Sequence, residues 1–278
     1  MGKMYAVTWY DELDSTNNEA IRKAGSLDNM SVIAASHQTA GRGQRGDAWH
    51  AEAGENLTFS IFLRFRTPSD DREGSFPEIM AADQFVLSET ATLAQCRFLK
   101  RKGIDARIKW PNDIYAGNRK ISGMLVENSL NGKYLATSVI GIGLNVNQTC
   151  FPPELPNPTS MSLLTGSHYE LGTLLGEFME VFTETVLMMN GIPHEELKEL
   201  YERELYRKGE QVMFLDISGR PAYLPANPVM SGNPGGRSDE MYFTGTVKGV
   251  SDTGMLQVML PDGTVREFGF KEIAYVIR

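Results

Sequence analysis

A lysine, an amide and a carboxylate lie close together in the stretch RIKWPNDIYAGNRKISGMLVE, residues 107–127. A short β-type run, Ala106–Trp110, is followed by Pro111, which lacks a backbone donor and favours an extended residue before it. The sequence therefore predicts that a strand ends here in a turn that carries Asn112 and Asp113. Ordinary turn chemistry would account for the same two residues.

The residues that follow bring a cation to this turn. Asp113–Ala116 reads as a second short strand, the hairpin-like turn after it ends in Lys120, and Ile121–Glu127 reads as the returning strand. Gly123 lies inside that strand, where glycine often marks the close approach of a ligand or of another backbone. The segment thus predicts an anion-binding site, and a solvated Lys120 with a bulge at Gly123 is the purely structural alternative.

The glycine-rich run Gly41–Gly46 has the spacing G-x-G-x-x-G, which alone is a weak indication of function. A dinucleotide-binding loop needs a helix that begins inside it, whereas the next element here is the strand Leu57–Phe65. The loop also lacks the Gly-Lys-Ser/Thr ending of a phosphate-binding loop. Arg42 and Arg45 nevertheless suit phosphate, because a guanidinium can form two charge-assisted hydrogen bonds at once. A solvated loop with two arginines is the alternative.

Two further segments can present polar groups to a ligand. Thr16 and Glu19 have the spacing of a capping box that opens a short helix, which Gly25 ends. The apolar strand Tyr134–Asn147 ends in the run GIGLN at 141–145, where two glycines and an asparagine allow an adenine or a ribose to come close. Helix capping and a bulged strand end are the corresponding structural alternatives.

The composition indicates a globular protein rather than a disordered or fibrous one, with 278 residues, 41% hydrophobic and 22% charged. A net charge of −8 argues against bulk binding of nucleic acid or of an anionic membrane. The only cysteines, Cys96 and Cys150, are too few for a disulfide framework, which indicates a reducing compartment. No apolar run approaches the ~18 residues of a membrane span. We expect a cytoplasmic protein.

The order of predicted elements indicates an α+β protein of two domains. Strands and helices, among them a long helix over Ser75–Lys102, occupy residues 1–208, and short strands joined by hairpin turns occupy residues 209–278. Within the second part, 220–240 is rich in Pro, Gly, Ser and Asn and predicts a mobile insertion. The sequence assigns no role to that insertion.

Three of these motifs together resemble the biotin protein ligases. That family has a GRGxxG loop, then a KWPND-type turn with a [RK]K-[LI]-x-G-[IM]-L-[VI]-E strand, then a G-x-G-x-N segment. In this chain they are Gly41–Gly46, Lys109–Asp113 with Arg119–Glu127, and Gly141–Asn145. The resemblance extends over Tyr10–Asn147. It implies a class II synthetase-like catalytic domain, a mixed β-sheet flanked by helices, followed by a small C-terminal SH3-like β-barrel.

The resemblance also implies an activity: an ATP-dependent ligase forms biotinyl-5'-AMP, releases pyrophosphate, and transfers biotin to a lysine of a biotin carboxyl carrier domain. Biotin and ATP would be substrates, with Mg²⁺ accompanying ATP. The implied catalytic residues are Lys120, Arg42, Arg45 and Asp113. Those implied for biotin are Ser15, Thr16, Asn17, Gln38, Gly41, Arg42, Gly43, Gln44, Lys120, Gly123 and Leu125. Those implied for ATP are Gln44, Arg45, Trp49, Lys109, Asn112, Asp113, Lys120 and Asn145. We expect no metal-binding residue, because the four histidines have no metal-ligand spacing.

The chain departs from the family in two places. Many relatives have arginine where this loop has Gln44, so the contact to the adenylate phosphate is expected to pass to Arg42, Arg45 and Lys120. Some relatives are also repressors with an N-terminal helix-turn-helix domain. Here the D-S-T segment already lies at residues 14–16, so DNA binding is not expected.

Two alternatives stay open at this point. A lipoate or octanoate ligase or transferase has the same fold with another acyl pocket, and a non-catalytic biotin-sensing regulator would bind without reacting. The partner expected is the carrier domain of a biotin-dependent carboxylase, not DNA or a membrane. Whether the chain forms a homodimer, and which carrier it meets, the sequence leaves open.

Overall fold

A computed structural model of the chain describes residues 5–44, 48–218 and 241–277. Arg45, a predicted site residue, and 220–240, the predicted insertion, lie outside these ranges. The α-helices are α1 Thr16–Arg22, α2 Phe85–Arg101, α3 Met161–Thr165, α4 Leu171–Met189 and α5 His194–Arg203. The first seven strands are β1 Val7–Leu13, β2 Val32–Gln38, β3 Leu57–Arg64, β4 Ala106–Lys109, β5 Asp113–Ala116, β6 Arg119–Asn131 and β7 Tyr134–Leu144. The others are β8 Gln211–Asp216, β9 Met241–Val250, β10 Leu256–Met259, β11 Val265–Phe268 and β12 Ile273–Tyr275.

The first seven strands form one mixed sheet in the order β1-β2-β3-β7-β6-β5-β4. Only β1 and β2 pair in parallel; the other neighbours are antiparallel. The expected α+β architecture with a mixed sheet and flanking helices is confirmed.

Side chains alternate between the two faces along each strand, so both faces carry apolar residues. Helices cover both faces and bury these residues. On one face Phe59 of β3 and Phe98 of α2 meet Phe178 of α4 edge to face, with ring centroids 5.2 and 5.4 Å apart. On the other face Ala20 of α1 packs on Phe62 and its buried apolar neighbours. Ser60 therefore points to the α1 side, and that side carries the site described below.

The five strands β8 to β12 form a second sheet, entirely antiparallel, in the order β11-β10-β9-β8-β12. The described strands are consistent with an SH3-like domain, but they do not close into the expected barrel. One continuous apolar core joins the two sheets, and the indole of Trp110 donates to the carbonyl of Gly254 at 2.9 Å across the junction. The second sheet is thereby held against the end of the first.

Two local predictions are wrong. The helix expected from Ser75 begins only at Phe85, because the backbone before it pairs with the start of β7: Ala81 N–H donates to Lys133 O and Leu135 N–H to Ile79 O. The capping box at Thr16 does not form either. Ser15 is the N-cap and makes no side-chain cap bond, while the Thr16 hydroxyl bonds to Gln38 instead.

No helix among the described residues is both long and apolar enough to cross a bilayer.

Candidate active site

The floor of the candidate site is a row of small and charged residues that crosses four strands. Lys109 of β4 lies opposite Asp113 of β5, Asp113 opposite Gly123 of β6, and Gly123 opposite Gly143 of β7. Residues paired across neighbouring strands lie on the same face of a sheet. The register therefore assembles the separate sequence motifs into one surface.

A second row runs beside the first. Ser60 of β3 lies opposite Gly141 of β7, and Gly141 lies opposite Leu125 of β6. Added Cβ atoms at Gly141 and Gly143 would overlap Asn17 Oδ1 and the Trp49 indole, respectively. These glycines leave room for side chains from α1 and from the glycine-rich loop to lie directly on the sheet.

An open cavity lies over these rows. It brings together most of the residues that the sequence singled out. They are Ser15, Thr16, Asn17, Gln38, Arg42, Gly43, Gln44, Trp49, Lys109, Asn112, Asp113, Lys120, Gly123 and Leu125. Lys120 and Arg42, far apart in the chain, thus line one cavity.

One end of the cavity is built from neutral polar groups. The Thr16 backbone N–H donates to Gln38 Oε1 at 2.8 Å, and the Thr16 hydroxyl lies 3.2 Å from the same oxygen. The Ser60 hydroxyl, fully buried, is 2.7 Å from Thr16 Oγ1 and 2.5 Å from Asn17 Oδ1, so its one proton is shared between them. Because each group fixes the next, the end presents hydroxyl and amide groups in set directions.

A carboxylate anchors this end to the glycine-rich loop. Glu127 Oε2 accepts from Asn17 Nδ2 and from Arg42 Nη2, both at 2.7 Å. The ion pair is partly exposed, so its contribution to stability is small, but it fixes Arg42 at the rim.

The other end of the cavity carries cations. Lys120 Nζ lies 2.7 Å from Asp113 Oδ1 and 5.7 Å from the centre of the Trp49 ring. Its backbone is held on both sides, because Lys120 N–H donates to Asn157 O and Lys120 O accepts from Thr159 N–H. Lys120, which the sequence predicted to lie in a turn, therefore has a fixed backbone and an ammonium group that remains accessible.

Lys109 is the buried member of this end. Its ammonium lies 5.1 Å from the Tyr115 ring and 5.5 Å from the Tyr275 ring. Burial disfavours the charged form and lowers the pKa of Lys109 to about 8, against the opposing effect of the Asp113 charge. A ligand that brings negative charge to this position would stabilise the protonated form and raise the pKa of Lys109 again.

Trp49 lies in the groove between the two ends. Its ring rests on Gly123 and Gly143, and Cζ3 would be 3.1 Å from a Cβ at Gly123. The indole Nε1 is buried and has no hydrogen-bond partner among the described residues. A buried donor of this kind is costly unless a ligand or a rearrangement supplies an acceptor.

Two predicted site residues do not line the cavity. Asn145 is buried and its amide donates to the Thr159 carbonyl at 2.9 Å, so the side chain is held outside the cavity. Gly41 lies at the base of the loop, where a Cβ would be 2.6 Å from the Trp49 carbonyl oxygen. Their roles, like the roles of the lining residues, stay predictions.

Three groups that lie at the cavity or its edge were not among the predicted site residues. Ser60 was detectable as the polar residue in the middle of the apolar strand LTFSIFLR. Glu127 was the last residue of a motif already quoted, and its carboxylate went unused. The third group is a set from the C-terminal sheet, including Phe270, Lys271 and Tyr275.

Within the described ranges, no three or more His, Cys, Asp or Glu side chains are arranged to hold a metal ion. Asp113 is the sole carboxylate among the described residues that line the cavity.

Comparison with known proteins matches the part of the chain that contains the three sequence motifs. Residues 10–145 match the model of the biotin/lipoate A/B protein ligase family. The chain is 36% identical over 137 residues to the bifunctional ligase/repressor BirA of Escherichia coli, covering 48% of this chain and 38% of that protein. It is 36% identical over 136 residues to a biotin–[acetyl-CoA-carboxylase] ligase of Paracoccus denitrificans, covering 48% and 51%. The chain thus spans about half the length, or less, of these relatives.

The fold resembles that of a biotin protein ligase from Aquifex aeolicus, solved in complex with biotin and ATP. The TM-score is 0.67 at 24% identity, over 97% of this chain and 98% of that one. The similarity includes both sheets, and it establishes the fold alone.

Proposed function

We propose that the protein is an ATP-dependent biotin protein ligase, because residues 10–145 match the model of the biotin/lipoate A/B protein ligase family. It would join biotin to AMP with release of pyrophosphate, then transfer biotin to a lysine of a carrier domain. The observation that carries the proposal is one cavity with a neutral hydrogen-bonding end and a cationic end. A molecule with an uncharged ring, a carboxylate and a nucleotide fits that division.

The neutral end would bind the ureido ring of biotin. Ser15, Thr16, Asn17 and Gln38 offer donors and acceptors there, and Gly123 and Leu125 would flank the valeryl chain. Arg42, with Gly41, Gly43 and Gln44 of its loop, would close over the acid. An asymmetric neutral ring gains specificity from such fixed groups, because a ligand without matching partners would leave them unpaired.

Lys120 would carry the main charge of the reaction. A carboxylate resists attack by an amine, so it must first be activated, and negative charge grows at the α-phosphate as pyrophosphate leaves. A fixed cation beside that phosphate lowers the barrier, typically by several kcal/mol. The 2.7 Å contact of Lys120 with Asp113 and the hydrogen bonds of the Lys120 backbone support this role. Arg42 would help it, and the predicted contribution of Arg45 falls outside the described residues.

The nucleotide would lie over the groove that Trp49 now fills. Lys109, Asn112, Asp113 and Gln44 would bind its phosphates and ribose, and Trp49 the adenine, with Asn145 a more distant candidate. Mg²⁺ would arrive with the triphosphate, and a single carboxylate such as Asp113 fits an ion that keeps several waters.

Several wider features belong to the same proposal. The partner is the carrier domain of a biotin-dependent carboxylase, in the cytoplasm, where the free thiols Cys96 and Cys150 would stay reduced. The chain would divide into a catalytic domain, 1–208, and an SH3-like domain, 209–278. No binding to DNA or membranes is proposed, and a homodimer is left to measurement.

The test is pyrophosphate exchange into ATP with biotin, lipoate and octanoate compared side by side. We expect exchange that depends on biotin and is far weaker with the other two acids. A higher kcat/KM with lipoate or octanoate would assign the chain to the lipoyl branch of the family. Tight binding of biotin without any exchange would make it a sensor.

A further inference from the structure

The C-terminal sheet contributes part of the cavity wall through the turn between β11 and β12. Phe270 and Lys271 of this turn line the cavity next to Tyr275 of β12. None of them belongs to the motifs in residues 10–145, and Lys271 brings a charged group from a different sheet.

The backbone of this turn is unusual at Lys271. Its φ is 63°, in the left-handed region that side-chain-bearing residues rarely adopt. Glu272 N–H donates to Gly269 O at 3.1 Å, so Lys271 is the third residue of a four-residue turn, a position where positive φ favours glycine. The Glu272 carboxylate closes the turn again by accepting from Gly269 N–H at 2.6 Å. A lysine occupies a position where glycine would be the easier residue, and strained backbone of this kind clusters at functional sites.

The distribution of charged residues around the cavity also indicates a role for Lys271. The charged groups among the described lining residues are Arg42, Lys109, Lys120, Lys271 and one carboxylate, Asp113. The Nζ atom of Lys271 is shielded from solvent. A cleft lined by cations draws in and holds anions. Since the loop position at Gln44 is neutral, a polyphosphate in this cavity would depend on cations from elsewhere.

We infer that Lys271 is a further ATP-binding residue, which contacts the triphosphate from the C-terminal sheet. The inference rests on the proposed function and assigns the second sheet a direct part in binding the nucleotide. It also accounts for the lysine at φ 63°, because the conformation that strains the backbone places the side chain at the wall of the cavity.

The test compares Lys271→Gly with Lys271→Arg in the full chain by pyrophosphate exchange. Glycine suits the turn, so Lys271→Gly removes the cation without disturbing the backbone, and its thermal midpoint should stay within about 2 °C of the unsubstituted protein. We expect the KM for ATP to rise about tenfold, the usual scale for losing one charge-assisted bond. The KM for biotin should stay within about twofold, and Lys271→Arg should retain most of the ATP affinity.

Arg207→Gly is the matched control. Arg207 is also a cation at positive φ, 57°, and it does not line the cavity, so its KM for ATP should not change. An unchanged KM for ATP in Lys271→Gly would overturn the inference, as would an equal rise in both KM values with a lowered midpoint. Should the unsubstituted protein catalyse no exchange with any acid, the proposed function fails. Titration of both proteins with ATP then tests Lys271 separately, and equal affinities overturn its role.

Discussion

The two ends of the cavity rest on the same sheet but use different chemistry. At the α1 end, neutral groups bond mainly to one another: Thr16 to Gln38, and Ser60 to Thr16 and Asn17. An ion pair at this end, Arg42 with Glu127, joins it to the glycine-rich loop. At the other end the groups are charged or aromatic, with Lys120 paired to Asp113 and Lys109 enclosed by tyrosine rings. The first end is satisfied before any ligand binds, whereas the second holds buried positive charge that an anion would stabilise.

This difference explains how the site could discriminate between its substrates. Pre-bonded neutral groups select by direction, because a ligand must replace each bond it breaks. Buried cations select by charge, and they cost folding energy until the anion arrives. The substitutions below test this division, from the largest expected effect to the smallest.

Lys120→Ala should reduce biotin- and ATP-dependent adenylate formation by at least about a hundredfold, the usual loss when a fixed group that stabilises transition-state charge is removed. The fold should persist, since the Lys120 side chain is partly exposed. Single-turnover formation of biotinyl-5'-AMP measures the effect. Arg119→Ala is the matched control, because Arg119 is the preceding cation on the same strand and is exposed outside this cavity. A normal adenylate yield from Lys120→Ala would remove the residue from the mechanism.

Gly143→Ala should lower kcat/KM roughly ten- to a hundredfold, because its methyl group overlaps the Trp49 indole and displaces it from the groove. Gly25→Ala controls for the substitution itself, since no heavy atom lies within 4 Å of an added Cβ there. The same overlap should lower the stability of Gly143→Ala, and the double variant Gly143→Ala/Trp49→Ala should recover that stability without recovering activity. Full activity in Gly143→Ala would show that the indole position does not matter.

Lys109→Met should raise the KM for ATP about tenfold at neutral pH. Burial lowers the pKa of Lys109 to about 8 in the folded chain, so in the unsubstituted protein the KM for ATP should increase as pH rises through that value. The variant should not show this pH dependence. An identical pH profile in both proteins would show that Lys109 does not cause the pH dependence of the KM for ATP.

Lys109→Met should weaken ATP binding but increase the stability of the fold. The folded pKa lies below the unfolded one, so between about 8 and 10.5 the unfolded chain binds more protons, and this group's contribution to stability rises with pH. Below about 8 the buried charge costs on the order of 3 kcal/mol. Lys109→Met should therefore increase the free energy of unfolding at neutral pH, measured by denaturant titration. A decrease would mean that Lys109 packing outweighs its charge.

Gln44→Arg should give the smallest change, a slower release of the adenylate by about threefold. A guanidinium added at the rim would contact the phosphate from the loop, although solvent weakens the interaction there. Dissociation of biotinyl-5'-AMP, followed by stopped flow, measures it, and an unchanged rate would show that position 44 lies away from the phosphate.

Local pattern predicted most of the elements but not how they meet. The alternation of apolar residues and the turns around Pro111 and Asn118 placed β4 and β5 near their observed bounds, whereas β6 continues to Asn131, four residues beyond its predicted end. The start of α2 was wrong because backbone bonds to the first residues of β7 compete with helix formation. Such bonds depend on tertiary neighbours, which helix propensity does not record.

The site was predictable where one motif supplied several residues. Asn112, Asp113 and Lys120 could be grouped from spacing alone, whereas the pairing of Gly123 with Gly143 depends on the register between β6 and β7. Lys271 was not predictable, because its contribution depends on docking of the second sheet onto the first.

The most direct test of the division is titration calorimetry of two variants, Thr16→Val and Lys109→Met, each with biotin alone and with ATP alone. Thr16→Val removes a hydroxyl at the neutral end and should weaken biotin while leaving ATP affinity within about twofold. Lys109→Met removes a cation at the other end and should weaken ATP while leaving biotin unchanged. If both variants weaken the same ligand, or if Thr16→Val weakens only ATP, the two ends do not bind the two substrates separately and the account is wrong.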